Sequence, residues 1–256
     1  MSESSTTTNN QNDHQDVENS NMGFFEHLTE LRKRLFYCVI AIVIPSIIAL
    51  SFAPVLFELL RKPLAAIPDH QMIVLSPLEM FVTYLKLGIL SGIFMSIPVI
   101  LWHIWAFVAP GLYKQEKRWI IPFILLGSAF FIGGGAFAYF IVLPMGFEYL
   151  IKMVPATVAA NYSVANYFSL TIKLLFAFGL VFELPLIMWV LSAAQIINPL
   201  RYKGFRQYWV IIAVVLAAIL TPPDPLTQLM MAIPLVLFFE IGIIGAQILY
   251  KRDNKQ

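Results

Sequence analysis

The sequence predicts an all-α polytopic membrane protein with six transmembrane helices. Of its 256 residues, 59% are hydrophobic and only 12% are charged, whereas an average soluble domain has roughly 25% charged residues. Several long apolar runs approach the length of about 20 residues that a helix needs to cross a bilayer. Prolines lie in or beside these runs at positions 45, 54, 98, 122, 185 and 234. Because proline bends a helix, we expect bent helices that form a concave face.

The N-terminal segment has a different composition. Residues 1–22 are rich in Ser, Thr, Asn, Gln and acids and contain few apolar side chains. Such a segment cannot bury enough surface to offset the entropy lost on ordering, so we expect a disordered tail. Phe24, Leu28, Leu31 and Leu35 then recur at helical spacing, which predicts an interfacial helix that leads into the membrane. We expect a membrane domain over residues 23–251 and a tail at 252–256.

The apolar runs define the six predicted spans. We expect them at about 35–57, 87–108, 119–143, 167–197, 208–220 and 226–250. The fifth is only roughly 20 Å long as a helix, against a hydrocarbon core of about 30 Å. We therefore expect the hairpin of the last two spans to lie below the far surface and to thin the bilayer. The three glycines at 133–135 are expected to allow close approach of a neighbouring helix.

Lysine and arginine determine the predicted orientation. Basic residues concentrate in segments 32–34, 114–118, 201–206 and the C-terminal tail. Because cytoplasmic loops are enriched in these residues, both termini and the loop after the second span are predicted to be cytoplasmic. Six spans agree with this orientation, because an even number of crossings leaves both termini on the same side of the membrane.

Catalysis, metal binding and nucleic-acid binding are not indicated. The chain contains no HExxH or GxSxG motif, and its four histidines show no metal-ligand spacing. The net charge of +2 is too small to suggest a nucleic-acid partner. We therefore expect neither an enzyme nor a bound metal or other cofactor.

Two acids suggest functional positions. Glu183 lies deep in the fourth span, before Pro185, and a carboxylate in hydrocarbon must pair, become protonated or face a wet cavity. A protonated glutamate bonded to an adjacent helix and a residue that lines a functional cavity both fit the sequence, and we expect the second. Glu116 lies within the basic loop after the second span. It can form ion pairs with positive charges on a partner or a local ion pair within the loop, and spacing alone favours the local pair.

Several motifs carry a family resemblance. They are HLTELRKR at 27–34, WAFVAPGLYKQE at 105–116, FAYF at 137–140, FELP at 182–185 and LTPPD at 220–224. With these motifs the chain resembles the TatC family, the large subunit of the twin-arginine protein translocase. The resemblance covers about residues 24–251.

The resemblance implies a function and a set of partners. A member of this family is expected to bind the twin-arginine signal peptides of folded proteins and to move those proteins across the bacterial cytoplasmic (inner) membrane. It is expected to use the proton-motive force, to act with the single-span subunits TatA and TatB, and to self-associate in a multimeric receptor complex within the lipid bilayer.

The resemblance also implies roles for individual residues. Glu30 and Glu116 stand where the family contacts the paired arginines, and Arg32 and Phe107 belong to the same expected peptide site. Glu183 matches the acid of the concave membrane face. Three more positions match residues important to function: Asp224, Pro63 and Pro98.

Other functions remain open at this stage. A secondary transporter for a small solute also suits six spans, bent helices and a midplane acid, although related halves are not evident in the sequence. A structural scaffold for other membrane proteins is a third class. For the acids, the competing interpretation pairs Glu30 with Arg34 and Glu116 with its own neighbours.

The predicted orientation can be tested by labelling. We expect residues 58–86, 144–166 and 222–225 to face the periplasm and residues 109–118 and 198–207 to face the cytoplasm. A cysteine introduced at Gln115 should therefore not react with an impermeant reagent added only from outside. Modification of that cysteine would contradict the orientation derived from the charges.

Overall fold

The computed structural model describes the backbone of residues 7–65, 71–108, 120–155, 161–193, 197–220 and 225–253. Within these ranges the chain is almost entirely helical. The helices are α1 (Thr7–Leu50), α2 (Ala53–Ala65), α3 (Glu79–Val108), α4 (Ile120–Phe137), α5 (Leu143–Lys152), α6 (Val164–Ala193), α7 (Pro199–Leu220) and α8 (Pro225–Asp253). A π-helical segment, Ala138–Val142, joins α4 to α5. Two short strands, β1 (Gln71–Ile73) and β2 (Asn161–Ser163), complete the described elements.

The prediction of six membrane-crossing helices is confirmed. Six helical segments of the described chain are long and apolar enough to cross a membrane. They are Leu28–Leu50, Glu79–Phe107, Ile121–Lys152, Val164–Ser192, Pro199–Leu220 and Gln228–Ile248. Most of them extend beyond the apolar runs, because a helix continues through charged residues at the membrane surface. The fifth helix therefore has 22 residues, about 33 Å, and is longer than the sequence suggested.

The first predicted span, 35–57, is divided in the structure. α1 ends at Leu50, and α2 begins at Ala53 after a tight turn in which Ser51 N donates to Ile48 O at 3.1 Å. Pro54 explains the break, because it has no N–H to donate to the carbonyl of Leu50 and is favoured in the first turn of a new helix. At its other end α1 begins at Thr7, inside the segment expected to be disordered. A helix that is already nucleated gains one hydrogen bond for each residue it adds.

The loop predicted at 144–166 begins later than expected. The helix continues through Pro144 as far as Lys152. The π-helical segment makes this possible, since Leu143 N donates to Ala138 O, five residues back. Pro144 then falls in the first turn of α5, where a missing N–H has little cost.

α2, the two strands and α5 lie together at one end of the bundle, and we call them the cap. β1 and β2 pair in parallel, with Met72 opposite Tyr162. Apolar side chains of the cap pack on the first turns of α6. Phe57 stacks on Phe168 with ring centroids 4.6 Å apart, and Phe147 lies 4.9 Å from Tyr167.

Small residues allow the transmembrane helices to approach closely. α1 packs on α3, α4 packs on α3 and α6, and α8 packs on α6 and α7. Of the three glycines in α4, Gly134 faces the backbone of Phe178 and Gly135 faces the ring of Phe94, so that a Cβ at either position would overlap its neighbour. Gly133 faces open space. The predicted close approach is therefore correct for two of the three.

α7 and α8 form a hairpin with polar contacts along its length. Arg206 Nη2 lies 2.6 Å from Glu240 Oε2. Trp209 Nε1 donates to the carbonyl of Leu235 at 3.1 Å, and its ring stacks on Phe239 at 4.8 Å. The charged pair gives Glu240 a partner within the hairpin.

One carboxylate connects the cap to two transmembrane helices. Glu79, the first residue of α3, accepts hydrogen bonds at Oε2 from Leu75 N at 2.6 Å and from Ser76 N at 3.3 Å. Its Oε1 accepts from Ser163 Oγ at 2.7 Å and from Ala165 N at 2.5 Å. The side chain thus caps the N-termini of both α3 and α6, where orphan N–H groups and the helix dipoles favour an anion. It fixes these two parallel helices at the same level.

Replacement of Glu79 should loosen the cap. Glu79→Ala leaves four donors without their acceptor, so we expect a lower midpoint of thermal unfolding in detergent and faster proteolysis of the cap. The unfolding midpoint of Glu79→Gln should lie between those of Glu79→Ala and the native protein, because the amide keeps one acceptor oxygen. The matched control is Glu148→Ala, which removes an exposed acid whose partner is Lys152. Equal stability of the Glu79→Ala and Glu148→Ala proteins would contradict this role.

Candidate functional site

The predicted peptide site lies at the end of the α1–α3 pair opposite the cap. The two helices are antiparallel and come into close contact at two glycines of α3. Gly88 lies against the side chain of Leu50, and Gly92 lies against Ser46, where a Cβ would overlap the hydroxyl. Two glycines one turn apart therefore allow α1 to lie directly on α3.

The same contact continues away from the cap. Ser96 Oγ donates to the carbonyl of Ala41 across the interface. Further along, the ring of Tyr37 stacks on His103 with centroids 5.6 Å apart and an interplanar angle of 20°. Each contact joins a residue earlier in α1 to one later in α3, as two antiparallel helices require.

This register determines where Glu30 lies. Continued from the Ser46–Gly92 and Ala41–Ser96 contacts, it brings Glu30 level with the last two residues of α3, Phe107 and Val108. Phe107 is half-buried. Trp105, two residues earlier in α3, is buried against Phe123 of α4, with centroids 5.4 Å apart. Two of the predicted site residues thus belong to one end of one helix pair.

Glu30 already has a partner within α1. Arg34 Nε donates to Glu30 Oε1 at 3.0 Å, and Arg34 Nη2 contacts the same oxygen. The Arg34 and Glu30 side chains keep 22% and 35% of their surface exposed. A half-exposed pair at this spacing contributes about 0.3–0.5 kcal/mol, so it orients the carboxylate but adds little to stability. The sequence had offered this pair as the competing role of Glu30, and the structure contains it.

Arg32 lies on the outer surface of α1. It is exposed and, with Lys33, borders an open groove of about 540 Å³ whose other walls are Leu35, Phe36 and Val39. The structure therefore does not bring Arg32 onto the surface of α1 that contacts α3. Its position is that of a cation beside an apolar, lipid-exposed helix surface.

Two predicted residues lie outside the described part of the chain. Glu116 belongs to the segment 109–119, and Asp224 belongs to 221–224. Glu116 follows the end of α3 closely in sequence, and Asp224 directly precedes α8.

Pro63 is a buried residue of the cap. It lies inside α2, where its missing N–H leaves the carbonyl of Leu59 without a helical donor. Tyr139, in the π-helical segment, donates its hydroxyl to Leu59 O at 2.6 Å. Tyr167 of α6 donates to the next carbonyl, that of Leu60, at 2.7 Å. Tyr139 belongs to the FAYF motif, but no hydrogen bond was predicted for either tyrosine, although a proline within a helix indicates that a donor must come from elsewhere.

Pro98 has a different environment. It lies inside α3 and is exposed on the surface of the helix. Because it cannot donate to the carbonyl of residue 94, it weakens α3 at that point and favours a bend.

Glu183 is buried rather than accessible to water. Its exposed fraction is 5%, which contradicts the expectation that it lines a wet, concave face. The reason is Gly127 of α4, which has no side chain and leaves room for the carboxyl group: a Cβ there would lie 3.2 Å from Glu183 Oε2. Oε1 has no hydrogen-bond partner among the described residues. A buried polar atom of this kind is costly, and burial marks Glu183 as an unusual position.

No metal site is found in the described part of the chain, which contains no group of three His, Cys, Asp or Glu side chains able to hold an ion. The features that remain are a carboxylate beside cations, an aromatic helix end and a buried acid. They suit recognition of a charged partner within a membrane.

Comparison with known proteins agrees with this chemistry. The profile of a family described as Sec-independent protein translocase protein (TatC) matches residues 26–234. The chain belongs to the TatC family. It is 43% identical to the TatC of Aquifex aeolicus over 237 residues, which are 91% of this chain and 98% of that protein. It is 41% identical to the TatC of Desulforapulum autotrophicum, covering 90% of this chain and 86% of the relative, and 38% identical to that of Escherichia coli, covering 85% of each.

A solved structure shares the fold. The crystal structure of a twin-arginine translocase receptor, TatC, superposes with a TM-score of 0.80 at 41% identity and covers 87% of this chain and 99% of that one. The chain is therefore a multi-pass protein of the bacterial inner membrane, with a role in Sec-independent protein translocation within a Tat complex. The family is not enzymatic, and the alternative of a secondary transporter is set aside.

The role of Pro63 can be tested with Tyr139. In Pro63→Ala, residue 63 regains an N–H that can donate to Leu59 O, so the Tyr139 hydroxyl becomes partly redundant. Tyr139→Phe should cost about 1 kcal/mol of unfolding free energy in the native background and clearly less in Pro63→Ala. Denaturant unfolding of the four proteins measures this coupling, with Tyr149→Phe as the control. Equal losses in both backgrounds would show that the hydroxyl does not replace the missing bond.

Proposed function

We propose that this chain is the receptor subunit that binds twin-arginine signal peptides of folded proteins, and that Glu30 and Glu116 pair with the two arginines. The observation that carries the proposal is the α1–α3 register, in which Glu30 is level with the last residues of α3, Phe107 and Val108. Glu116 belongs to the segment that continues from that helix end. Two acids from different parts of the chain can then meet one pair of cations.

The geometry at Glu30 supports binding of a guanidinium group. Arg34 already bonds to Glu30 through its guanidinium group, and a carboxylate is an acceptor that suits such a group. A guanidinium is always charged and bonds to carboxylates in a fork, so an arginine suits this position better than a lysine. Nearby Arg32 and Lys33 are both exposed. Their positive charges repel other cations, so the site is selective for a ligand that also forms the forked hydrogen bonds of a guanidinium.

Phe107 and Arg32 have accessory roles in this proposal. Phe107 is half-buried at the end of α3 and offers an aromatic face to the alkyl part of a bound arginine. Arg32, on the outer surface of α1, lies where it meets the peptide backbone or lipid phosphates at the same surface. In the proposed orientation both termini are cytoplasmic, and the peptide arrives from that side.

The partners of the proposed complex are TatA and TatB, with further copies of this chain. α7 supports a lateral contact with single-span helices, because its outer surface is apolar and exposed, at Tyr208, Ile211, Val215 and Ile219 among others. Transport of the folded cargo is driven by the proton-motive force. Glu183, Asp224, Pro63 and Pro98 match family positions that are important to this function.

Peptide binding provides the test. Glu30→Ala and Glu116→Ala should each weaken capture of a twin-arginine peptide by about tenfold to a hundredfold, since a charge-assisted contact is worth roughly 1.5–3 kcal/mol. A twin-lysine peptide should bind the native protein less well than the twin-arginine peptide. Binding is measured with purified protein in detergent, and Glu148→Ala controls for the loss of an acid elsewhere.

Peptide binding by the double variant can contradict the proposal. If the Glu30→Ala, Glu116→Ala double variant is folded and binds the twin-arginine peptide with native affinity, the acids serve only their local ion pairs. In that case Arg34→Gln should lower the stability of the protein as much as Glu30→Ala does, because both would remove the same bond.

A further inference from the structure

A groove with two lysines runs between α3 and α6 near the cap. Its volume is about 270 Å³. Lys86, Ile89, Leu90 and Ile93 contribute one wall from α3, and Ile172, Lys173 and Phe176 contribute the other from α6. Leu90 is buried, while Ile89 and Phe176 keep 52% and 37% of their surface exposed. The groove therefore has an apolar floor and is open on the lipid side.

The two lysines lie at the same level of the bundle. α3 and α6 start together, because Glu79 Oε1 accepts a hydrogen bond from Ala165 N at 2.5 Å. Along the helix axis, Lys86 lies about 10 Å beyond Glu79 in α3, and Lys173 lies about 12 Å beyond Ala165 in α6. The two helices are parallel. Both ammonium groups thus lie at the same mouth of the groove.

This level corresponds to the boundary of the hydrocarbon. In α3, residues 87–108 carry no formal charge, and as a helix they span about 33 Å, close to the thickness of the hydrocarbon core. In α6, residues 174–193 contain a single acid, Glu183. Lys86 and Lys173 are therefore at the depth of lipid headgroups, and the isoleucines below them are at the depth of acyl chains.

The lysines have no carboxylate partner in the described part of the chain. Lys86 Nζ donates to Ser169 Oγ at 2.9 Å, and no described ion pair involves Lys86 or Lys173. The acids of these two helices are engaged or distant: Glu79 bonds to four donors, and Glu183 lies about 15 Å deeper than Lys173. Among the described residues, nothing compensates the positive charge at the mouth of the groove.

We propose that this groove binds one anionic phospholipid of the leaflet at the cap end. The phosphate lies between Lys86 and Lys173, which donate to its oxygens together with the hydroxyl of Ser169, and one acyl chain follows the apolar floor past Leu90 and Ile93. Charge complementarity selects the lipid, because a zwitterionic lipid brings a cation of its own to the same mouth. Neither lysine belongs to the peptide site, so the lipid site is independent of the proposed function.

Lipid retention tests the proposal. The purified chain, stripped of lipid in a neutral detergent, is incubated with equal amounts of phosphatidylglycerol and phosphatidylcholine of matched chains, and bound lipid is measured by native mass spectrometry. The native protein should retain one phosphatidylglycerol in preference to phosphatidylcholine. The Lys86→Gln, Lys173→Gln double variant should bind phosphatidylglycerol about tenfold to thirtyfold more weakly, at about 1 kcal/mol for each lysine.

The controls separate this site from general attraction of charge. Lys62→Gln removes an exposed lysine of α2 and should leave lipid retention unchanged. Glycerophosphoglycerol, the headgroup without acyl chains, should not displace the lipid, because the groove binds the chain as well as the phosphate. Equal retention of the two lipids by the native protein overturns the proposal without any variant. Undiminished retention by the double variant, an equal loss in Lys62→Gln, or displacement by the free headgroup also overturns it.

Discussion

The alignment of α3 with α6 depends on one buried carboxylate, and much of the remaining structure depends on that alignment. Glu79 accepts hydrogen bonds from the first turn of α6 and from the segments that precede α3 and α6. Four donors around one carboxylate fix the relative height of two helices that would otherwise be free to slide, since apolar surfaces in lipid give little preference for a register. The strand pair beside it joins the same two loops.

Backbone hydrogen bonding sets a second constraint. In a membrane protein each carbonyl needs a donor from within the structure, and every proline inside a helix removes one. At Pro63, the hydroxyl of Tyr139 donates to the carbonyl of Leu59 that the proline leaves without a helical donor. Before Pro144, the chain changes to π-helical hydrogen bonds, in which Leu143 N donates to Ala138 O. Pro63 thus does more than disturb α2, because the donor that replaces its missing N–H comes from a neighbouring element and ties the two together.

The two ends of the bundle differ in how their charges are compensated. Beside the cap, Glu79 is bonded to three backbone N–H groups and to the hydroxyl of Ser163, whereas the lysines of α3 and α6 form no ion pair among the described residues. At the opposite end, Glu30 lies among cations of its own helix and is bonded to Arg34. A carboxylate held by one arginine of its own helix is oriented at small cost.

The sequence by itself determined the class of the protein, the number of spans and the family. Long apolar runs report burial in lipid directly, and the motifs around Glu30 and Phe107 are local in sequence. It did not reveal that Glu79 caps two helices, because Ser163 and Ala165 are far from Glu79 along the chain. It also gave the wrong environment for Glu183. Exposure to water or burial of that acid depends on the side chain opposite it, and only the tertiary structure brought Gly127 of α4 to that place.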